Sequence, residues 1–373
     1  MSLTGRILVA GCLLSAACGQ GPGGECPADA DIPGRTIVAV DSIGVEIGDS
    51  AYVFASIEAT GHTIDGSILV LDRPNCCVRE FTPEGEFVRQ YGRRGSGPGE
   101  LSNPHSMVRL GDGRVAVLDL YTGGMQTFDS EGRWQGISAE MTNEPVLWLT
   151  ESEGNTYVGT QNCFDFCEQG LVVTAVVGRY EADRAEPFDT LWESSFVWDF
   201  RDITPLIEGS YFARTWASDR DGNVFIAPRS SEVYQVSGFD ASGEAFLEIS
   251  RELERVRKAD EEMADEAAFW NLRAENMGAS GPFNYQPDPY RWMIHSMGVD
   301  ALGRLWVRRG TEETPTFDVF DMEGNQVFTA TIPSIRGPLG PLWQIDIDEQ
   351  GILAYSLDPE AGYQKLYVLE LQD

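Results

Sequence analysis

Short apolar bursts separated by small turns dominate this chain. Ile68 to Leu71, Val115 to Leu118 and Val224 to Ala227 are unbroken aliphatic or aromatic runs, each placed just after Asp65-Gly66, Asp112-Gly113 or Asp221-Gly222. Weaker copies of the same turn are Glu153-Gly154, Leu302-Gly303 and Gln350-Gly351. A second motif, Phe-x-x-x-Gly, follows at Phe81/Gly85, Phe128/Gly132, Phe239/Gly243 and Phe320/Gly324. It trails the first turn by 15 residues in two copies and by 17 in the other two. Runs this short, bounded by Gly turns, predict a β-meander. The fixed phase between the two motifs predicts that one supersecondary unit has been copied. Almost nothing before residue 250 has a helical period.

The turn glycines at 66, 113, 154, 222, 303 and 351 set the repeat. Its shorter spacings match the roughly 40–50 residues of a four-stranded propeller blade, and the two longer ones are the same unit carrying insertions. The pattern therefore predicts an all-β, six-bladed β-propeller over residues 35–373, with a helical and aromatic insertion at about 251–292 between blades 4 and 5. The last unit has room for three strands before the chain ends. The fourth is expected from Thr36 to Val40, so that the two termini pair and close the ring. The stretch 81–132, with its Gly92-x-x-Gly95-x-Gly97-Pro98-Gly99-Glu100 link, resembles the NHL-type repeats of bacterial six-bladed propellers. That resemblance speaks for fold; propellers host unrelated chemistries.

The first strand of a blade runs along the central channel down to the first turn. Eight residues before each turn glycine stand Glu58, His105, Val146, Arg214, His295 and Trp343, which are expected to ring the channel mouth. Two of the chain's 3 histidines share this register, in the matching contexts His105-Ser106-Met107 and His295-Ser296-Met297. Glu58, His105, Arg214, His295 and Trp343 are thus candidate ligand-binding residues, with the mixed polarity of a small-molecule pocket. The bland alternative is that repeat duplication alone placed the histidines, which then serve backbone groups. His62 is expected at the opposite end, on the surface. Residues 251–276 contain no Gly or Pro and are expected to form a helix. With the loop that follows, this helix supplies the candidate lid residues Trp270, Phe283, Tyr285, Tyr290 and Trp292. A helix that simply covers an apolar rim is the alternative.

The N-terminus changes the setting. Arg6, the apolar stretch Ile7 to Ala17 and the run Leu14-Ser15-Ala16-Ala17-Cys18 resemble a bacterial lipoprotein signal. On this reading 1–17 is the signal peptide, Cys18 carries the lipid and 18–34 is a flexible tether to a membrane-anchored protein of the bacterial cell envelope. Ordinary secretion is the alternative. The formal net charge is -32, which argues against nucleic acid and against direct docking on anionic lipid. An exported location permits disulfides, and Cys163 and Cys167 are expected to staple their own loop. Cys26 is a candidate partner for Cys76 or Cys77.

The residues support a binding module first, its partner a small ligand, a glycan, a peptide or an envelope protein. A zinc-dependent lyase or hydrolase is the first rival. It would resemble the peptidylglycine amidating lyases, with metal ligands His105, His295 and Glu58. A calcium-dependent, gluconolactonase-like esterase is the second. Asp72 and Asp119 would have to add oxygens to Glu58 there, although both are read more simply as turn-forming. The chain shows no phosphate loop, nucleophile elbow or Ser-His-Asp arrangement.

Overall fold

The computed structural model describes residues 32–141, 144–167, 170–198, 205, 209, 213–276, 285–335, 342–357 and 363–372, with backbone alone at 167 and 272–276. The signal peptide, Cys18, Cys26 and Phe283 fall outside the described residues. Four consecutive segments form four-stranded sheets: β2–β5 (Ile57–His62, Ile68–Asp72, Cys77–Phe81, Phe87–Tyr91), β6–β9 (Pro104–Arg109, Val115–Asp119, Gly124–Phe128, Trp134–Glu140), β10–β13 (Leu147–Glu151, Thr156–Cys167, Gly170–Glu181, Asp189–Trp198) and β14–β17 (Arg214–Ser218, Val224–Pro228, Tyr234–Phe239, Ala245–Arg251). The remaining strands are β1 (Gly34–Ile43), β18–β21 (Ile294–Val299, Leu305–Arg309, Thr316–Phe320, Gln326–Thr331) and β22–β24 (Trp343–Asp348, Gly351–Ser356, Leu366–Gln372). They form one eight-stranded sheet in the order β18-β19-β20-β21-β1-β24-β23-β22.

The burial of each strand follows its place in its sheet. The second strands β3 and β7 are buried at every position, which is why they read as unbroken apolar runs. The outer strand β5 is mostly exposed. The first strands neighbour one another in the cycle β2, β6, β10, β14, β18, β22 and back to β2. Between consecutive sheets lie separate apolar layers. Leu71 and Val78 meet Val117 and Phe128, Val108 and Ala116 meet Tyr157 and Tyr180, and Ile57 and Val70 meet Leu353 and Tyr355. Each such side chain contributes about 1.5–3 kcal/mol on full burial. The molecule is an all-β, propeller-like ring whose core is distributed between sheets.

The turns have a shared chemistry beyond their glycine. Gly222 and Gly324 have φ of 83° and 84°, a region that favours glycine. Three residues earlier an aspartate fastens the turn. Asp219 accepts the N–H groups of Asp221 and Asn223, and Asp321 those of Glu323 and Asn325. Asp129, Asp240 and Asp300 do the same. In these turns the motif is Asp-x-x-Gly, while Thr63, Thr82, Leu110 and Glu151 hold the same place before Gly66, Gly85, Gly113 and Gly154.

The first and last strands pair. β1 pairs antiparallel with β24, from Thr36↔Gln372 to Ile43↔Leu366. Unlike the simple closure expected from sequence, its first residues also pair in parallel with β21, from Gly34↔Thr329 to Thr36↔Thr331. β1 thereby satisfies the free edge of a second set of strands and fuses two runs of strands into the eight-stranded sheet.

Two local expectations are corrected. Helix α1 spans Asp260–Asn276, not 251–276. Residues 252–259 run irregularly because their backbone bonds to the returning chain, with Lys258 N–H donating to Pro289 O and Arg291 N–H to Val256 O. The helix begins where Asp260, Glu261 and Glu262 place acidic groups at its N-terminal dipole. Residues 161–167 are not a stapled loop but the continuation of β11, paired with β12 through to Cys167↔Gly170. The Cys163 thiol is free. Four residues of strand separate Cys163 from Cys167 by about 13 Å, beyond the ~4.4–6.8 Å Cα separation of a disulfide. Cys76 and Cys77 are also free, and both are buried.

Candidate functional site

The mouth of the ring is the end at which the first strands begin. β2, β6 and β18 each carry a β-bulge at their second residue, between Ile57 and Ala59, Pro104 and Ser106, and Ile294 and Ser296. The bulge residues are Glu58, His105 and His295, three of the residues expected at the mouth. A bulge re-aims a side chain relative to the regular ladder, so the repeat presents these three in one manner. Arg214 opens β14 without a bulge and pairs with Pro228. Trp343 opens β22 and packs on Tyr367 with ring centroids 5.5 Å apart.

Val146 is not at the mouth. It is fully buried between the β6–β9 and β10–β13 sheets, ahead of β10. The bulge in β10 falls between Leu147 and Thr150, and Trp148 occupies the place expected for Val146. In the last sheet, Thr60 donates to Asp346 at 2.5 Å and His62 Nδ1 lies 2.8 Å from Asp348. The residue level with Glu58 is therefore Gln344, one place past Trp343. His62, expected on the surface, is 8% exposed because Asp348 covers it.

Neighbouring sheets bring several of these residues into contact. His105 Nε2 stands 4.0 Å from Glu58 Oε1, and Glu58 also receives Arg73 at 3.4 Å. The His105 ring meets the Trp148 indole edge-on, with centroids 5.8 Å apart. The Trp148 backbone N–H donates to Ser106 Oγ, and its φ is 48°. A left-handed conformation at a bulky residue costs on the order of 1–3 kcal/mol and is retained where the surroundings enforce it. Trp148 and Trp192 both pack against the layer around Trp216. Arg214 lies over the Trp192 ring, 4.7 Å from its centroid. The mouth thus joins a carboxylate, an imidazole, two indoles and a guanidinium drawn from four consecutive sheets.

His295 belongs to β18, three steps around the ring from His105 on β6. The structure gathers Glu58 with His105 and leaves His295 on the far side, so the proposed zinc triad is not assembled. Among the described residues no three His, Cys, Asp or Glu side chains converge as metal ligands. The carboxylates expected to add oxygens for calcium are occupied by the protein itself. Asp119 accepts the N–H groups of Ser102, Asn103, Tyr121 and Thr122. Asp72 accepts those of Ala55, Ser56 and Asn75 together with the Arg79 guanidinium.

The expected lid is held down, not raised. Trp270 of α1 and Tyr285 are buried against Leu171 and Val173 of the long hairpin, beside Leu147 and Trp148. Tyr285 further donates to Glu266 at 2.7 Å. These two aromatics fasten the insertion to the mouth side of the β10–β13 sheet. Tyr290 and Trp292 are half-buried, each under an arginine, Arg255 at 3.9 Å and Arg229 at 5.4 Å. Neither of two surface cavities is lined by Glu58, His105, Trp148, Arg214 or His295. One, of about 420 Å³, is bounded by Tyr234, Arg251, Leu253 and Met293, toward the outer strands of β14–β17, and the other, of about 260 Å³, by Trp306, Asp348 and Leu371.

No protein-family model and no curated protein matches this chain. Among solved structures, a member of the duf4221 family from Bacteroides vulgatus aligns at TM-score 0.50 and 7% identity, covering 90% of this chain and 98% of that one. The calcium-binding protein regucalcin from Agrobacterium tumefaciens aligns at TM-score 0.41 and 11% identity, over 90% and 96% of the two chains. Virginiamycin B lyase from Staphylococcus aureus aligns at 0.40 and 8%, over 89% and 88%. At these identities the likeness is one of fold. No helix among the described residues is long and apolar enough to cross a membrane.

Proposed function

We propose that this chain is an exported, lipid-anchored, six-bladed propeller that binds a small ligand at the mouth of its ring, without catalysis. The observation that carries the binding site is the contact series Glu58–His105–Trp148 at one end of the ring, with Arg214 of the next first strand stacked on Trp192. The count of six follows from reading β18–β21 as one blade and β22–β24 with β1 as another, consistent with the cycle of first strands. Export and anchoring rest on the run Leu14 to Cys18, with a tether that ends before Pro33 and not at 34, because Pro33 O and Gly34 already pair with β21. Several acyl chains together give stable membrane attachment.

Metal analysis by mass spectrometry on the full chain, beside a His105→Ala/His295→Ala variant, tests the binding reading. The expected result is no stoichiometric metal in either protein. Stoichiometric zinc or calcium that vanishes in the variant overturns the reading and puts a metal-dependent enzyme in its place. Anchoring is checked by fractionation: Cys18→Ala is expected to move the protein from membranes to the soluble fraction, and continued retention would sink that part.

A further inference from the structure

We infer that Arg214 is the docking point for the negative group of a small ligand whose flat apolar body lies against Trp148 and Trp192. The inference rests on the binding reading above and adds the ligand's chemical class. Its starting point is an imbalance. This chain has 59 Asp and Glu against 27 Lys and Arg, so carboxylates are abundant everywhere. Many of its arginines are matched accordingly: Arg73 with Glu58, Arg79 with Asp72, Arg179 with Asp189, Arg251 and Arg309 with Asp318, whereas the buried Arg308 donates to Trp343 O. Arg220 takes two, Glu151 and Glu349.

Arg214 breaks this rule. Among the described residues it meets no carboxylate. Its contacts are the Trp192 face and a long hydrogen bond of 3.4 Å to Ala213 O. It is half-buried, and loss of water around it draws its pKa below the ordinary arginine value. A partly dehydrated guanidinium without a counter-charge is unfavourable, and an anion placed against it removes the deficit. The indole beneath fixes the plane of the guanidinium and leaves its N–H fork to meet a carboxylate or phosphate two-handed.

The neighbours define the rest of the ligand. Trp192 supplies the flat apolar surface at Arg214; Trp148 packs on the same apolar layer, and the His105 ring adjoins it. Trp148 is also the bulky residue held at φ 48°, a strained geometry. Glu58, three first strands away, is already paired with Arg73, and among the described residues no second cation stands free beside it to anchor another negative group. One anionic end and one flat body fit this asymmetry. A dianion spanning the mouth does not. Arg229 is the internal contrast. It too lacks a carboxylate among the described residues, but its backbone pairs with Ala213, so it lies on the other face of the β14–β15 hairpin, under Trp292.

Titration of indole fluorescence in the full chain, with benzoate, phenyl phosphate and benzyl alcohol as probes, tests the inference. Saturable binding is expected for benzoate or phenyl phosphate and not for benzyl alcohol, and whichever anion binds tighter identifies carboxylate or phosphate as the ligand group. Arg214→Gln should weaken the preferred anion about 10- to 100-fold, and Arg229→Gln should leave it unchanged. Arg214→Lys, which keeps the charge and loses the two-handed fork, should bind the same anion more weakly than the native chain and better than benzyl alcohol, which decides the matter even if Arg214→Gln does not fold. Equal binding of benzyl alcohol and benzoate, or no saturable response to either anion, overturns the anionic assignment. So does an anion affinity indifferent to both Arg214→Gln and Arg214→Lys. None of these results bears on metal content, so the binding reading stands or falls by its own test.

Discussion

Asp72 has no exposed surface, yet it places a carboxyl group in the core. Its oxygens gather the backbone N–H groups of Ala55 and Ser56, which lead into β2, and the guanidinium of Arg79 from β4. One carboxylate thus ties three parts of a sheet. Asp72→Ala should lower the stability of the chain by about 3–5 kcal/mol, since it leaves Arg79 buried without its charge. Urea unfolding measures this, and a loss below about 1 kcal/mol would show that water replaces the carboxylate. Asp72 and Asp119 were legible in the sequence as repeated turn formers, and so was the mouth register of Glu58, His105 and His295, because each lies a constant count from an Asp-Gly or Leu-Gly turn. Trp148 was not. In its turn the glycine stands one place earlier, and β10 reaches its bulge one pair sooner, so the same count overshoots to Val146. The stacking of Arg214 on Trp192 joins segments that only the folded ring brings together, and no local pattern encodes it.

At the scale of elements, the insertion and the long hairpin form one unit. Trp270 and Tyr285 bring α1 and the chain after it against Leu171, Val173 and Phe196. Because these contacts lie outside the layers between sheets, they can open without opening the ring. Trp270→Ala should therefore raise hydrogen exchange and protease cleavage in 260–276, with the main unfolding transition nearly unchanged. A large fall in that transition would mean that the helix belongs to the core of the ring. The existence of this helix was legible from its composition. Its start was not, because the backbone of 252–259 is claimed by the chain at 289–291, a tertiary competition that helix propensity does not register. Residues 161–167 were obscured differently: two cysteines at close spacing suggested a loop, while this stretch of β11 pairs with β12.

At the scale of the whole molecule, the ring depends on β1. Ile37 and Ile43 are buried at 0% and 2% exposure, and the strand covers the edges of both β24 and β21. Deleting residues 1–43 should remove about 3–6 kcal/mol of burial and leave two bare edges. The expected outcome is a lower melting temperature and concentration-dependent association in analytical ultracentrifugation. A monomer with unchanged melting would show that the ring closes without the strand. Pairing of the two termini was legible from simple shortage, since the final repeat lacks a strand. The second pairing, to β21, was not, because it depends on how the first three residues of β1 meet a neighbouring edge. This arrangement also sets the order of folding. Thr36 and Gln372 stand 336 residues apart, the longest-range strand pairing among the described residues. Each four-stranded sheet pairs locally and closes small loops, whereas this pairing closes the largest one. Ring closure is therefore the slowest contact to make, and the sheets are expected to form before the ring does.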